Sequence, residues 1–122
     1  MIDVGIVDFG AGNIASVEQA VEYAGASTRR VHTPEEILKC DRLILPGVGA
    51  AGQSLKYMRE ASLDEAIREM VLNKATPLLV ICLGMQMLAD KLYEFGEHDG
   101  LGLIPGEVVK IEDIVEESPC VP

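Results

Sequence analysis

Cys82 is the residue whose type and position point most clearly to chemistry in this chain. It directly follows the apolar run Leu78–Ile81, which has the composition of a buried strand, and a helical pattern begins immediately after it. A cysteine at such a junction is held on a tight turn, where unpaired N–H groups of the helix favour a thiolate. The sequence therefore predicts a cysteine nucleophile at position 82.

A glycine-rich loop is expected to lie beside this thiol. The segment Pro46-Gly47-Val48-Gly49 follows the predicted strand Arg42–Leu45, and loops at the carboxyl ends of parallel strands converge on one edge of the sheet. Glycines allow the backbone to approach a ligand closely. The N–H groups of this loop, together with that of Leu83, could form an oxyanion hole for acyl transfer on an amide.

The remaining pattern alternates strands with helices. We predict strands at Val4–Val7, Ser27–Val31, Arg42–Leu45, Leu78–Ile81 and Gly106–Ile111. We predict helices over Asn13–Ala24, after Thr33, over Gln53–Asn73 with a break near Ala61, and from Cys82 to about Phe95. This alternation predicts an α/β fold, flavodoxin-like or Rossmann-like, with a mainly parallel sheet in the order 2-1-3-4 and helices on both faces.

Four motifs together resemble class I glutamine amidotransferases, and most closely the glutaminase subunits of imidazole glycerol phosphate synthase. They are Asp8-Phe-Gly-Ala-Gly-Asn13, Leu45-Pro-Gly-Val-Gly49, Ile81-Cys-Leu-Gly-Met-Gln86 and Gly100-Leu-Gly-Leu-Ile-Pro-Gly-Glu-Val-Val109. They occur in this order and span nearly the whole chain. The resemblance implies the N-terminal part of the amidotransferase fold, truncated before its later segment.

The resemblance also implies a reaction. Cys82 would attack the side-chain amide of glutamine, giving a glutamyl thioester and ammonia, while the N–H groups of Gly49 and Leu83 hold the oxyanion. Further residues would bind the substrate, namely Gly47, Val48 and Gln86.

A partner is implied as well. A (β/α)₈ synthase subunit in histidine biosynthesis would receive the ammonia, and Asn13 would face that partner or the site. No cofactor and no metal site is predicted.

The sequence departs from the family at the catalytic base. The family's His and Glu belong to a later His-Pro-Glu motif that this sequence lacks, and only His32 and His98 are present. His32 should lie three strands from Cys82, about 14 Å away. His98 should follow a helix leading about 15 Å away from the thiol. Because neither could reach the thiol proton, we expect no ordinary glutaminase turnover from this chain alone.

A second departure is at Val80, where the family usually has glycine. A β-branched side chain two residues before the nucleophile should crowd the tight turn and reset its backbone.

The totals exclude several classes of partner. A net charge of −10 over 122 residues argues against nucleic acids and anionic membranes. The N-terminus from Met1 to Asp8 is typical of a strand and not of a signal peptide, and no apolar run is long enough to span a bilayer. Three cysteines without CxxC spacing indicate neither a disulfide framework nor a zinc site, so we predict a cytoplasmic protein.

Other features have simpler interpretations. Gly10-Ala-Gly12-Asn-Ile-Ala15 formally matches a dinucleotide fingerprint, but no acid follows that could bind a ribose, so a turn is favoured. Four residues are expected to be incidental, the two other cysteines in the chain and the two histidines on its surface: Cys40, Cys120, His32 and His98. Met85 and Met87 are expected to pack in the core.

The absent segment should also leave a strand edge uncovered. In the family, the strand next to the nucleophile strand comes from that segment, so Leu78–Ile81 should have a flat apolar edge. The strand Gly106–Ile111 or a second copy of the chain could cover it, and we predict a homo-oligomer, a dimer joined near this edge. We treat residues 1–122 as one partial domain, with residues 112–122 as a loosely held acidic tail.

Three functions remain open from the sequence. The chain could be a glutaminase-type domain, completed by a complementing C-terminal chain or belonging to a longer protein. It could be a non-catalytic binding or assembly module of amidotransferase ancestry. It could also be a stand-alone cysteine-elbow protein with a redox or hydrolase role.

Overall fold

The structure is a computed structural model that describes residues 1–10 and 12–115. Its strands are β1 (Asp3–Val7), β2 (Ser27–Val31), β3 (Arg42–Gly47), β4 (Leu78–Cys82), β5 (Ala89–Tyr93), β6 (Glu97–Asp99) and β7 (Ile104–Val108). Its helices are α1 (Ile14–Tyr23), α2 (Pro34–Ile37), α3 (Ala51–Glu60), α4 (Leu63–Arg68) and α5 (Leu83–Gln86), with a π-helical turn at Glu69–Asn73 and a 3₁₀ turn at Ile111–Asp113.

The main sheet confirms the predicted fold class and strand order. Its four strands are parallel and lie in the order β2-β1-β3-β4. One apolar cluster, on the face that α1 covers, contains Val4, Ile6, Ile14 and Ile44. The larger cluster lies on the opposite face, where side chains of β3 pack with those of α2, α3 and α4. Helices thus lie on both faces, as is usual for a parallel sheet, but Leu79 and Ile81 of β4 remain exposed.

Local signals in the sequence explain where most helices begin and break. The Asn13 side chain accepts a hydrogen bond from the Ser16 N–H and caps α1. Thr33 caps α2 in the same way, and Pro34 occupies its first turn. The predicted break between α3 and α4 is present at Ser62, whose φ of 58° places it in the left-handed region. None of the helices in the described residues is long and apolar enough to cross a membrane.

The segment after Cys82 differs from the prediction. We expected one helix to about Phe95, but α5 ends at Gln86 and the chain continues into β5. The strands after α5 form a second sheet in the order β6-β5-β7. Tertiary hydrogen bonds explain the change, because the Met87 and Leu88 carbonyls accept bonds from the N–H groups of Leu101, Leu103 and Ile104. These bonds to a distant segment outweigh the helical spacing of the apolar residues.

The predicted terminal strand is also placed differently. It runs over Ile104–Val108 instead of Gly106–Ile111, and it pairs with β5. The expectation that this strand covers the edge of β4 is therefore wrong, and within the described residues β4 pairs only with β3. Residues 111–115 are exposed, whereas the rest of the predicted acidic tail, together with Cys120, lies outside the described residues.

Candidate active site

Cys82 is the last residue of β4 and is exposed. Its backbone has φ 56° and ψ −118°, a conformation that residues other than glycine rarely adopt. Such strain persists only where surrounding contacts enforce it, and it is concentrated at functional sites. The turn from β4 into α5 therefore presents the thiol to solvent at the carboxyl edge of the main sheet.

Two glycines make room for this turn. A Cβ on Gly84 would overlap the carbonyl oxygen of Leu45, so α5 can pack against β3 only with glycine at that position. A Cβ on Gly47 would lie 3.1 Å from the Cβ of Leu83 and 3.2 Å from the Gly84 nitrogen. Close contact between β3 and the start of α5 thus fixes the position of Cys82.

The side chain of Val80 is accommodated on the covered face of the sheet. It is half-buried and packs against the main apolar cluster, and its backbone is in register with Leu45. The positive φ angle occurs two residues later, at Cys82 itself.

The helix behind the thiol is much shorter than the sequence predicts. α5 has four residues, about one turn, so few peptide dipoles are aligned behind Cys82. The N–H groups near the thiol are therefore those of this single turn.

The predicted oxyanion loop lies next to the thiol. Gly47 pairs in register with Cys82, and the chain continues through exposed Val48 to Gly49, whose φ of 90° requires glycine. α3 begins directly after this loop at Ala51. Val48, Gly49 and Ala50 are therefore exposed beside Cys82, whereas Pro46 and Gly47 are buried.

Glu94 is a site residue that the sequence reasoning missed. Its Oε1 accepts a hydrogen bond of 3.1 Å from the Ala51 N–H, across 43 positions of sequence, and so caps α3. The sequence contained a weak signal for such a contact. Ala50, at the N-cap position, has no side-chain oxygen, so an acceptor had to come from elsewhere.

Two clefts flank the loop and the turn. The larger, of about 540 Å³, is lined by Phe9, Gly10, Gly12, Val48, Gly49, Ala50, Gln53, Ser54 and Tyr57. The other, of about 330 Å³, is lined by Gln86, Leu92, Tyr93, Glu94, Val108, Val109, Lys110 and Ile111. The structure thus separates the predicted substrate residues, with Val48 in the first cleft and Gln86 in the second. Cys82 is not among the residues that line either cleft.

The loop that follows β1 contains two turn glycines. Gly10 and Gly12 both have positive φ, of 85° and 105°, which explains the glycines of the apparent dinucleotide fingerprint as turn residues. Asn13 is exposed, and its side chain is engaged in capping α1.

The two histidines are held by other residues. The exposed His32 lies with its Nε2 3.1 Å from Oδ2 of Asp8, at the carboxyl ends of β1 and β2. His98 is half-buried, against our expectation of a solvated surface group. Its ring packs on Gly52 of α3, and its Nε2 lies 2.8 Å from the Glu94 carbonyl oxygen. The long helix expected to carry His98 away is absent, and the β5–β6 hairpin returns it to α3.

The two described thiols have different environments. Cys40 is buried, its Sγ donates to the Glu36 carbonyl oxygen, and burial raises its pKa, with the Asp3 carboxylate adding to that effect. Cys82 is exposed. Of the two, Cys82 is the one that a reagent can reach.

Residues 11–114 match the family model described as a CobB/CobQ-like glutamine amidotransferase domain. A protein of Legionella pneumophila named "Imidazole glycerol phosphate synthase subunit HisH 1" is 49% identical over 111 residues, covering 91% of this chain and 52% of that protein. A Wolinella succinogenes protein named as the HisH subunit is 47% identical, covering 89% and 53%. The chain thus spans about half the length of the curated relatives it matches.

Solved structures share the fold. A crystal structure of a glutamine amidotransferase aligns with a TM-score of 0.72 at 24% identity, covering 85% of this chain and 54% of that one. A putative peptidase E protein from Listeria monocytogenes aligns with a TM-score of 0.68 at 14% identity, covering 84% and 63%.

Proposed function

Because the chain belongs to the class I glutamine amidotransferase family, we propose that Cys82 is the nucleophile of a glutaminase site. The observation that carries this proposal is the strained turn at Cys82, with φ 56°, in register with Gly47 of the glycine-rich loop. A nucleophile on a strained strand-to-helix turn beside a row of backbone N–H groups is suited to acyl transfer.

The proposed reaction has two steps. The Cys82 sulfur attacks the side-chain carbonyl carbon of glutamine, its proton passes to a base, and the carbonyl oxygen becomes an oxyanion held by the N–H groups of Gly49 and Leu83. The C–N bond then breaks as the amide nitrogen takes up a proton. Ammonia is released, and a glutamyl thioester remains on Cys82. Water attacks the thioester, and glutamate is released with the thiol restored.

Substrate binding is assigned to the surroundings of the turn. Backbone groups of Gly47 and Val48 contact the reacting amide in this proposal. Gln86 and Glu94 line one cleft, where an amide and a carboxylate are suited to the polar α-amino and α-carboxyl end of an amino acid.

The base is proposed to come from another segment. Among the described residues, His32 faces Asp8 and His98 is held by Gly52 and the Glu94 carbonyl oxygen. Three strand spacings separate β2 from β4, about 14 Å, so His32 is too far for direct proton transfer. The 122-residue chain alone is therefore expected to lack ordinary turnover.

The setting of the reaction follows from the relatives, which are named as subunits of imidazole glycerol phosphate synthase. We assign this chain the same role in histidine biosynthesis, with ammonia passing to a (β/α)₈ synthase subunit and the Asn13 loop facing that partner. A nucleophilic thiol has to stay reduced, so we place the protein in the cytosol.

One competing function has a specific observation in its favour. His32 and His98 both contact other residues of the chain instead of Cys82. This arrangement would suit a non-catalytic assembly module that kept the fold and lost the activity. Labelling with a glutamine analogue that carries a diazoketone in place of the amide distinguishes the two. A glutaminase site is alkylated at Cys82, excess glutamine slows the reaction, and Gln86→Ala reduces that protection. Labelling of Cys40 or Cys120 at an equal rate, or no effect of glutamine, would contradict the proposal.

A further inference from the structure

The cleft beside α5 is lined by one side chain of each charge. Its volume is about 330 Å³, within the range of small-molecule sites, and Gln86, Glu94 and Lys110 supply its amide, carboxylate and ammonium groups. Among the described residues that line this cleft, Lys110 is the only cation. A free amino acid has one charge of each sign at its α-carbon, so the cleft offers an opposite charge to both groups.

The register of the second sheet brings these two charges together. β5 and β7 pair in parallel with Leu92 in register with Val108, and Glu94 and Lys110 each follow this pair by two positions. The two residues therefore leave the sheet at the same end and enter the same cleft.

The cleft is also close to the nucleophile position. Gln86 follows Cys82 by four positions, about one helical turn. Three carbon–carbon bonds separate the amide carbon of glutamine from its α-carbon. When the amide is at Cys82, the charged end of the substrate therefore falls in this cleft.

Glu94 and Gln86 alone would hold only part of that charged end. One oxygen of Glu94 accepts from the Ala51 N–H, and the other can accept from an α-amino group, but the same carboxylate repels an α-carboxylate. Gln86 has no charge to offset this repulsion, and the net charge of −10 further disfavours an anion at the surface. A cation in the cleft supplies what these two residues lack.

Lys110 is available for such a contact. Its Nζ lies 3.8 Å from Oε1 of Glu112, and the two side chains are 64% and 69% exposed. Exposed ion pairs of this kind contribute little, so a ligand can replace Glu112 at small cost. Lys91 differs, because its Nζ is held between Glu97 and Asp99 on the surface of the second sheet.

We propose that Lys110 binds the α-carboxylate of the substrate and selects for it. This inference rests on the proposed glutaminase function and deepens it, because it assigns a residue to the acid group of glutamine. The α-carboxylate keeps its charge throughout the reaction at Cys82. Lys110 therefore contributes to the binding of glutamine and not to the chemical step.

The experiment measures how well ligands protect Cys82 of the 122-residue chain from iodoacetamide. The ligands are glutamine, glutaramate, which lacks the α-amino group, and 4-aminobutanamide, which lacks the α-carboxylate. Lys110→Met should raise the half-protecting concentration of glutamine and of glutaramate about five- to tenfold. It should leave that of 4-aminobutanamide unchanged, and Lys110→Arg should restore most of the protection by glutamine.

Two matched controls separate this role from general effects of charge. Lys91→Met removes a lysine from the same sheet outside the cleft and should change none of the three values. Glu112→Gln frees Lys110 from its ion pair and should protect at least as well as the unchanged chain. Circular dichroism of each variant verifies folding before protection is compared.

Two outcomes would overturn the role of Lys110 and leave the glutaminase site intact. They are glutamine protection that Lys110→Met leaves unchanged, and equal weakening of all three ligands. If glutamine did not protect Cys82 in the unchanged chain, the glutaminase site itself would be contradicted, and this inference with it.

Discussion

Gly47 and Cys82 lie directly opposite each other, in register at the carboxyl ends of β3 and β4. Neighbouring strands are about 4.8 Å apart, so the glycine-rich loop begins one strand spacing from the thiol. The same Gly47 has no room for a Cβ of normal contact distance beside Leu83. A single backbone junction thus sets the positions of both Cys82 and the glycine-rich loop.

Replacing Gly84 should disrupt this junction. The Cβ of alanine would overlap the Leu45 carbonyl oxygen, and two backbone segments cannot separate without losing their packing. We expect Gly84→Ala to lower the free energy of unfolding by about 1–3 kcal/mol or more, measured by urea titration.

Gly25→Ala is the control for that change. Gly25 has φ 95° and open space around its Cβ position, so alanine there adds backbone strain of about 1–2 kcal/mol without a steric overlap. Alkylation of Cys82 should change in Gly84→Ala and stay normal in Gly25→Ala. Equal effects of both substitutions on Cys82 would show that the packing of α5 on β3 does not position the thiol.

The two described thiols should differ in accessibility. Iodoacetamide should modify Cys82 in the folded protein and Cys40 only after unfolding, because Cys40 is buried and donates to the Glu36 carbonyl oxygen. Peptide mapping by mass spectrometry resolves the two sites, and a Cys120→Ser background removes the third cysteine. Equal modification of Cys40 and Cys82 before unfolding would contradict the structure.

Burial of Cys40 should make stability depend on alkaline pH. Burial holds the pKa of the Cys40 thiol above its ordinary value of 9.0, so above that pH the unfolded thiol loses its proton while the folded thiol keeps it. The unfolded state then binds fewer protons, and stability falls as pH rises through 9.0 and above.

Cys40→Ala tests this dependence. The variant should be less stable overall, because a buried side chain is shortened, yet its stability should decline less steeply between about pH 8 and about pH 10. Thermal unfolding across that range measures the slope. Parallel slopes for the two proteins would show that Cys40 is not buried as described.

Glu94 should stabilise the helix that follows the glycine-rich loop. Removing its carboxylate from the Ala51 N–H in Glu94→Ala should cost about 0.5–2 kcal/mol in the free energy of unfolding. Glu94→Gln keeps an acceptor oxygen and should lose less, although its charge no longer favours the helix N-terminus. If both variants unfolded at the same urea concentration as the unchanged chain, the contact would not form in solution.

Much of the fold follows from local signals. Three strands of the main sheet are short apolar runs, and the more polar β2 lies at its edge. Asn13, Thr33 and Ser62 mark helix starts and the break between α3 and α4. The strand order and the turn at Cys82 are recoverable because apolar strands alternate with amphipathic helices.

The region after Gln86 could not be predicted in the same way. Its apolar spacing fits a helix, but hydrogen bonds from Leu101 and Leu103 to Met87 and Leu88 draw it into a second sheet. Contacts of Glu94 and His98 with α3 depend on that return of the chain. No local pattern encodes a pairing between segments more than ten residues apart.

The most direct test of the central claim is glutamine hydrolysis by the completed domain. The chain is mixed with the remaining segment of the Legionella pneumophila relative, under conditions where calorimetry shows that the two bind. We expect glutamine-dependent release of ammonia from this complex, none from the chain alone, and none from the complex of Cys82→Ala. Ammonia release that persists in the Cys82→Ala complex would contradict the assignment of Cys82 as the nucleophile.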